Sequence, residues 1–342
     1  MANKVEKELR QLLLGWYEKN GRDLPWRVKG GAHSVPYVIL VSELMLQQTT
    51  VKTVIPYFYR FMERFPTIQV LAAASLDDVY NYWQGLGYYS RARSLHATAK
   101  MIVHDFNGNF PQTRSEILKL KGIGNYTAAS FLALAFNQPE TVIDGNVIRI
   151  ICRMYHLSNP VAEIGKEIEE KAKALTDTAN PADYASAIMD LGAIVCTPKS
   201  PKCMVCPWQR FCLSASRHDA EQIPVRRKLE KKEKNGRVYL IFNKSGEVLI
   251  RKRIEKGLLS GLYEFPWQEG AGNICRGATD SGIEVSHIFT HFKLVLRIYV
   301  LKTEEKCPIG KFVLPERLED FAMSTLMKKV YAAGRRILDN KE

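Results

Sequence analysis

The 342-residue chain carries 49 Lys and Arg against 36 Asp and Glu, a net charge of +13, and 46% of its residues are hydrophobic. That length holds two domains or one large one with a filled core, and the positive excess points to a polyanionic partner, because Lys and Arg displace counterions from phosphates. An anionic membrane is the rival partner, but there is no long apolar span and no lipidation motif, and the N-terminus lacks the apolar core of a secretory signal, which predicts an intracellular protein.

From Val5 to about Val195 the periodicity is mainly helical, beginning with a stripe at Leu9, Leu12, Leu13 and Trp16. Val41 to Thr49 reads as an apolar helix carrying one carboxylate, Glu43. An isolated Glu on a helix ordinarily faces solvent; apolar neighbours on both sides predict burial and a raised pKa, suited to a general acid at neutral pH. Ser75 is a cap ahead of the next helix, Gly85 and Gly87 interrupt the chain after it, and breaks recur at Pro36, Pro66, Gly108 to Pro111 and Pro181.

Gly122 and Gly124 flank Ile123 between two helix-like runs. Glycines there allow a tight hairpin and close approach of a partner, and Asn125 is placed to cap the second helix, leaving free N–H groups for a phosphate. An ordinary helix corner would look much the same. Further on, Asp144 is approached through apolar Val142 and Ile143 and followed by Gly145, Asn146 and Val147. A lone Asp opening a helix is ordinarily just a cap, but an apolar approach brings this one near an interior, where carboxylates tend to have a task.

Four of the seven cysteines, Cys196, Cys203, Cys206 and Cys212, fall in one short Pro-containing segment, while Cys152, Cys275 and Cys307 are scattered. In a reducing compartment the clustering reads as metal ligation, and ligand chemistry alone allows tetrahedral zinc or an iron–sulfur cluster. Lys199 and Lys202 lie in the first interval and give it a phosphate-binding character. Residues 216–236 are poor in apolar side chains and rich in basic ones, Arg226, Arg227, Lys228, Lys231 and Lys232, as in a linker. The pattern then changes to strands at 238–242 and 248–250 around an Asn243 to Gly246 turn, a long strand-like run from Phe289 to Leu301, and a helix over 324–338. Three regions are therefore expected: 1–215, a linker at 216–236, and a separate α/β module at 237–342.

The run Leu120-Lys121-Gly122-Ile123-Gly124-Asn125-Tyr126-Thr127-Ala128, with Val142-Ile143-Asp144-Gly145-Asn146-Val147, resembles the helix-hairpin-helix, Gly-Pro-Asp superfamily of DNA base-excision glycosylases. More narrowly, the likeness is to the MutY-type, adenine-specific mismatch glycosylases, and it extends over nearly the whole chain. It implies a mainly α catalytic region with an iron–sulfur module, followed by a C-terminal α/β Nudix-like domain. The activity it implies is removal of adenine mispaired with 8-oxoguanine, and with guanine, from double-stranded DNA, by a monomer working in the cytoplasm on the nucleoid.

The resemblance also implies site residues. Glu43 would protonate adenine, at N7, and Asp144 would stabilise the positive charge developing on the sugar, either electrostatically or through a transient covalent bond. Two carboxyl groups in these roles are what glycosidic cleavage requires. Tyr126 and Asn146 would orient Asp144. In bifunctional relatives the position of Tyr126 carries a lysine that forms a Schiff base; tyrosine has no amine, which predicts a glycosylase without strand cleavage. Trp26 and Arg27 would line the adenine pocket. Gln48, Leu86 and Tyr88 would fill the stack after the base is extruded, and Gly122 and Gly124 would meet the phosphate backbone. Ser186 falls where relatives place a longer Gln or Glu that reads adenine's edge.

The spacing of Cys196, Cys203, Cys206 and Cys212 resembles that of the family's 4Fe-4S cluster. In the C-terminal domain, Gly257 to Pro266 resembles the Nudix-like fold, but the acidic box that would hold hydrolytic magnesium is absent between Pro266 and His287. Phe289, Thr290 and His291 resemble the loop that tests for 8-oxoguanine, with Thr290 where many relatives have serine. Two rival readings stand beside this one: a pyrimidine-damage glycosylase-lyase like endonuclease III, and a non-catalytic iron–sulfur DNA-binding protein.

Overall fold

The computed structural model describes residues 2–28, 34–225, 232–255, 257–270, 275–304 and 309–339. Arg226, Arg227, Lys228 and Lys231 of the expected linker, and Cys307, lie outside the described residues. The chain divides into two compact units, 1–72 with 97–228, and 73–96 with 229–342. The helices at 73–96, which the periodicity alone grouped with the catalytic region, therefore make their compact unit with the C-terminal strands. Periodicity tells which face of a helix is buried, not which neighbour buries it.

In the first unit, helix α1 (Ala2–Asn20) buries Leu9, Leu13 and Tyr17 on one face. They pack with Val147, Ile151, Leu175, Ile188 and Trp208, and the Trp208 indole N–H donates to the Leu9 carbonyl at 2.8 Å, closing the cysteine segment onto the first helix. Each leucine in such a core contributes about 2 kcal/mol of transfer free energy. Helix α2 (Pro36–Leu46) starts with proline at its first turn, where the missing N–H costs nothing. Its buried residues run from Tyr37 through Ile39–Met45, so it is a core helix, as its apolar sequence predicts. Helix α3 (Val51–Arg64) packs against it, α4 (Ile68–Ala73) follows α3, and the short α7 (Arg114–Ile117) packs against α8 (Asn125–Phe136). Helix α8 is buried from Thr127 to Ala135 and packs against both α2 and α11 (Pro181–Asp190). Helices α9 (Gly145–Met154) and α10 (Gly165–Leu175) complete the core. After α11 the chain widens into a π-helical turn, Leu191–Val195, before the cysteine segment and the short α12 (Leu213–Ser216).

The second unit joins α5 (Leu76–Trp83) and the first half of α6 (Tyr89–Asp105) to a seven-stranded sheet. The strands are β1 (Lys232–Phe242), β2 (Val248–Lys252), β3 (Tyr263–Glu264), β4 (Trp267–Glu269), β5 (Thr279–Ile288), β6 (Phe292–Lys302) and β7 (Lys311–Val313). The main order is β3-β2-β1-β6-β5, with β4 on β1 and β7 on β2. β1 and β6 run parallel, in register from Lys232 with Phe292 to Phe242 with Lys302. β1 thus begins inside the stretch expected to be linker; basic side chains there face outward on a strand rather than marking irregular chain. Helix α13 (Thr325–Asp339) covers one face through Leu326, Met327 and Val330, which pack with Leu240, Leu296 and Ile298. β5 carries no sequence signal, because only Val285 is buried along it and Gly282, at φ +75°, marks a bulge that breaks the alternation.

Ser75 caps α5 as predicted, accepting from the Asp78 N–H at 3.1 Å. The same segment is tied to the sheet unit by three contacts: Tyr80 Oη and Arg93 Nη1 both donate to the Ser260 carbonyl, at 3.4 and 3.2 Å, and Lys252 pairs with Asp77 at 2.6 Å. Among the described residues, no helix is long and apolar enough to cross a membrane.

Candidate active site

Glu43 sits in the middle of α2 and is 4% exposed. Its burial follows from the helix, whose other faces are apolar, so this carboxyl goes where the core goes. Burial pushes its pKa up to about 7; the Ser130 and Tyr126 hydroxyls and the charge of Arg27 pull it down, and the negative charge of Asp144 adds to the rise. Ser130 and Tyr126 stand near enough to favour the anion, yet neither closes a hydrogen bond with Glu43 Oε2, which is buried and without a partner, as is Ser130 Oγ. A buried acid half-protonated at neutral pH, with one oxygen unclaimed, can hand a proton to an incoming base.

Asp144 is the N-cap of α9. Its Oδ1 accepts from the Asn146 and Val147 backbone N–H groups at 2.8 Å each, and Oδ2 accepts from Asn146 Nδ2 at 2.7 Å. The cap reading therefore holds: the first turn of the helix supplies the donors that fix this carboxylate in place. Asn146 Oδ1 accepts in turn from Arg149 Nη2 at 2.9 Å, and Arg149 also donates to the carbonyls of Gly192 and Cys196, each at 2.7 Å. Glu43 is thus brought within electrostatic reach of Tyr126 and Asp144, about a hundred positions further along the chain. The Tyr126 pKa is raised by burial and then by the negative charges of Glu43 and Asp144, and its hydroxyl donates weakly to Met189 Sδ at 3.6 Å.

Arg27 reaches the same region from the loop after α1 and is gripped by Asp190, which also takes Arg22. Trp26 is buried, edge-on to Phe58. Ser186 is buried on α11 and its hydroxyl faces the Tyr17 hydroxyl, lowering that phenol's otherwise burial-raised pKa.

The hairpin differs from expectation in one detail. Asn125 does not cap α8: Gly124, extended at φ −99° and ψ −177°, is the cap residue and Asn125 is the first residue inside the helix, where its Oδ1 accepts from Arg114 Nη2 at 3.5 Å. A glycine cap has no side chain to occupy the first-turn N–H groups, so they stay open to an anion. Gly122, at φ +75°, is the position the turn requires to be glycine.

Gln48 and Tyr88 both hold left-handed backbone, at φ +56° and +48°, and both are exposed, Tyr88 to 44%. Non-glycine residues held this way cost on the order of 1 kcal/mol each and cluster at functional sites. Leu86, by contrast, is 6% exposed, so its side chain packs inward and only its backbone is placed at a surface. Within the second unit the Tyr88 hydroxyl meets Thr290 Oγ1 at 3.1 Å. Thr290 and His291 are exposed at the tip of a turn closed by the Phe289 N–H on the Phe292 carbonyl at 2.8 Å, while Phe289 leans on the core.

Cys196, Cys203, Cys206 and Cys212 line one cavity with Arg153, whose guanidinium donates to Cys196 Sγ at 3.3 Å and to the Thr197 and Pro198 carbonyls. Burial pushes the Cys206 thiol up to about 12, and the neighbouring sulfurs add to the rise, so four thiolates here call for a strongly cationic centre. The four cysteines share one cavity, and four thiolates are the donor set of an iron–sulfur cluster.

Comparison with known proteins agrees with this geometry. Residues 41–177 match the profile of the HhH-GPD superfamily of base excision DNA repair proteins, residues 196–212 that of the iron–sulfur binding domain of endonuclease III, and residues 237–333 that of the NUDIX domain. The solved structure of a thermostable thymine-DNA glycosylase aligns with TM-score 0.56 at 29% identity, over 63% of this chain and 98% of that one. A non-covalent endonuclease III–DNA complex shares the fold at 21% identity and TM-score 0.52. A helical glycosylase fold, a 4Fe-4S module and a Nudix-like domain together define a DNA N-glycosylase of base excision repair. The human adenine DNA glycosylase is 32% identical over 94% of this chain and 73% of its own length, and that of Buchnera aphidicola from Schizaphis graminum 39% identical over 75% and 74%. The chain belongs to the adenine DNA glycosylase family.

Several residues that matter here gave no sequence signal. Asp190 reads as an ordinary helix-terminal acid, and Arg149, Arg153 and Gly192 as parts of helical runs; their roles arise only from contacts across the chain.

Proposed function

We propose that the protein removes adenine mispaired with 8-oxoguanine, and with guanine, from double-stranded DNA, hydrolysing the N-glycosidic bond and leaving the strand intact. The observation that carries the reading is the pairing of a buried, protonatable Glu43 with Asp144, whose carboxylate is held by the helix cap and Asn146. With the adenine nucleotide extruded from the stack, Glu43 protonates N7, the glycosidic bond loosens, and Asp144 faces the positive sugar as its counter-charge. Deprotonated Glu43 then accepts the proton of the attacking water. Asn146 and Tyr126 hold the geometry, and Trp26 and Arg27 wall the base.

Gln48 and Tyr88 are the wedges that occupy the stack, their exposed side chains held out by left-handed backbone. The turn at Phe289, Thr290 and His291 tests the base opposite adenine. Gly122 and Gly124 admit a backbone phosphate, and Ser186 acts on adenine's edge through Tyr17 or water. The four cysteines hold the cluster, which when bound fixes the basic 196–212 segment as a phosphate-facing surface. The catalytic region, linker and recognition domain work as a monomer on chromosomal DNA inside the cell.

Single-turnover cleavage of a duplex holding one adenine:8-oxoguanine pair tests the reading. Base release without nicking, lost in Glu43→Gln and in Asp144→Asn, supports it. Borohydride-trapped adducts with rapid nicking would establish a lyase instead, and undiminished release by either variant would remove the carboxylate mechanism.

A further inference from the structure

Asp190, the last residue of α11, is fully buried and accepts four hydrogen bonds. Three come from Arg22: backbone N–H to Oδ2 at 2.8 Å, Nε and Nη2 to Oδ1 at 2.8 and 2.6 Å. The fourth comes from Arg27 Nη1 to Oδ2 at 2.8 Å. Two arginines five positions apart in one loop are thereby locked to a single carboxylate. Burial alone would raise the Asp190 pKa, but the hydrogen bonds and charges of Arg27, then Arg22, hold it below the usual carboxylate range. Nothing in the proposed chemistry so far uses it.

Its place in the fold says what it does. Met189 beside it receives the Tyr126 hydroxyl, and Gly192 two residues on receives Arg149 and abuts Asn146. Asp190 therefore stands on the turn that backs both carboxylates, and its one partner with reach to Glu43 is Arg27. We infer that Asp190 is a positioning residue: its hydrogen bonds to Arg22 and Arg27 fix where the Arg27 guanidinium stands and neutralise part of its charge, and so set the pH range over which Glu43 serves base excision.

The charge logic has a definite sign. The groups facing Glu43 are the Ser130 and Tyr126 hydroxyls, Arg27 and Asp144; of these only Arg27 is a cation, and it favours the Glu43 anion. Those facing Asp190 and Arg27 include Arg22 and Tyr17, and Asp183 acts on Tyr17 as well. An Arg27 stripped of its counter-ion acts on Glu43 at full strength and deprotonates the acid at lower pH.

The inference rests on Glu43 as the proton donor, and the experiment separates the two. Single-turnover excision is followed against pH for the iron-loaded full chain, with Glu43→Gln as the check on the reading itself: if that variant excises normally, the mechanism fails and the Asp190 role with it. Asp190→Asn is expected to move the alkaline limb down by about 1 pH unit, Arg27→Gln to move it up, and Asp190→Asn in the Arg27→Gln background to move it no further. Asp190→Glu should restore the wild-type midpoint. A rate lowered equally at every pH, or a shift that persists without Arg27, overturns the positioning role while leaving the carboxylate mechanism intact. If Asp190→Asn does not fold, Arg27→Gln reads the same coupling from its other end, and an unmoved midpoint there overturns the proposal.

Discussion

Gly192 and Asn146 touch backbone to side chain: a β-carbon on Gly192 would lie 2.5 Å from Asn146 Cβ and 3.2 Å from its Cγ. Asn146 in turn clamps Asp144 Oδ2, so the missing side chain at 192 sets where a catalytic carboxylate stands. Gly192→Ala should displace Asn146, and a misplacement approaching 1 Å costs about 10²-fold in rate. Single-turnover excision by a variant that still folds and carries iron would show it; an unchanged rate would mean that the turn relaxes instead.

Glu43→Gln should abolish excision, lowering the rate by about 10³-fold or more, since a positioned acid contributes about 10²–10⁴. The same change should stabilise the protein in one pH range only. A carboxyl whose folded pKa is raised stabilises the fold while protonated; that contribution is complete below pH 4.5 and is lost as pH rises through about 7. Thermal melts of variant and wild type should therefore agree at about pH 4 and diverge at pH 9 in the variant's favour, by up to about 3 kcal/mol.

The wild-type rate of base release should fall as pH rises through about 7, because the donor form of Glu43 is titrated away. A pre-steady-state pH series on one mispaired duplex checks this. A rate still climbing at pH 9 would assign the proton to another group.

Asp144 separates stability from catalysis. Asparagine caps a helix nearly as well as aspartate, so Asp144→Asn should melt within about 0.5 kcal/mol of wild type while losing the counter-charge and the activity. Asp144→Ala removes the acceptor of the Asn146 and Val147 N–H groups as well, and should cost a further ~1 kcal/mol. Equal melting of both variants would mean that the cap contributes nothing.

Removing the iron should release the segment around Cys203 and Cys206 and, through Trp208 and Arg153, loosen its docking on α1 and α9. Depleted protein is expected to melt lower and to bind duplex DNA more weakly, by calorimetry and fluorescence anisotropy. Binding at full strength without iron would confine the cluster to another role.

Much of this was legible from residues alone. The apolar flanks of Glu43 foretold its burial, the place of Asp144 ahead of a helical run foretold a cap, and Gly122 foretold a left-handed turn. What stayed hidden has a common cause. Asn125 was a plausible cap until Gly124 proved to hold the position, since local preference cannot decide between neighbours. Leu86 sits in a loop yet packs inward, and β5 is a strand with almost nothing apolar to announce it. Asp190 acquires meaning only from Arg22 and Arg27, more than 160 positions earlier.

The division of the chain has a consequence for its birth on the ribosome. Residues 73–96 emerge well before residue 229, where the rest of their unit begins. At about 5–20 residues per second the gap is on the order of 10 s. During that interval the Ser260 and Met323 carbonyls, which accept from the Tyr80 and Tyr89 hydroxyls in the folded chain, are not yet translated. A nascent chain halted or truncated before 229 would leave those contacts with the later strands unmade, a natural target for chaperones and for quality-control proteases.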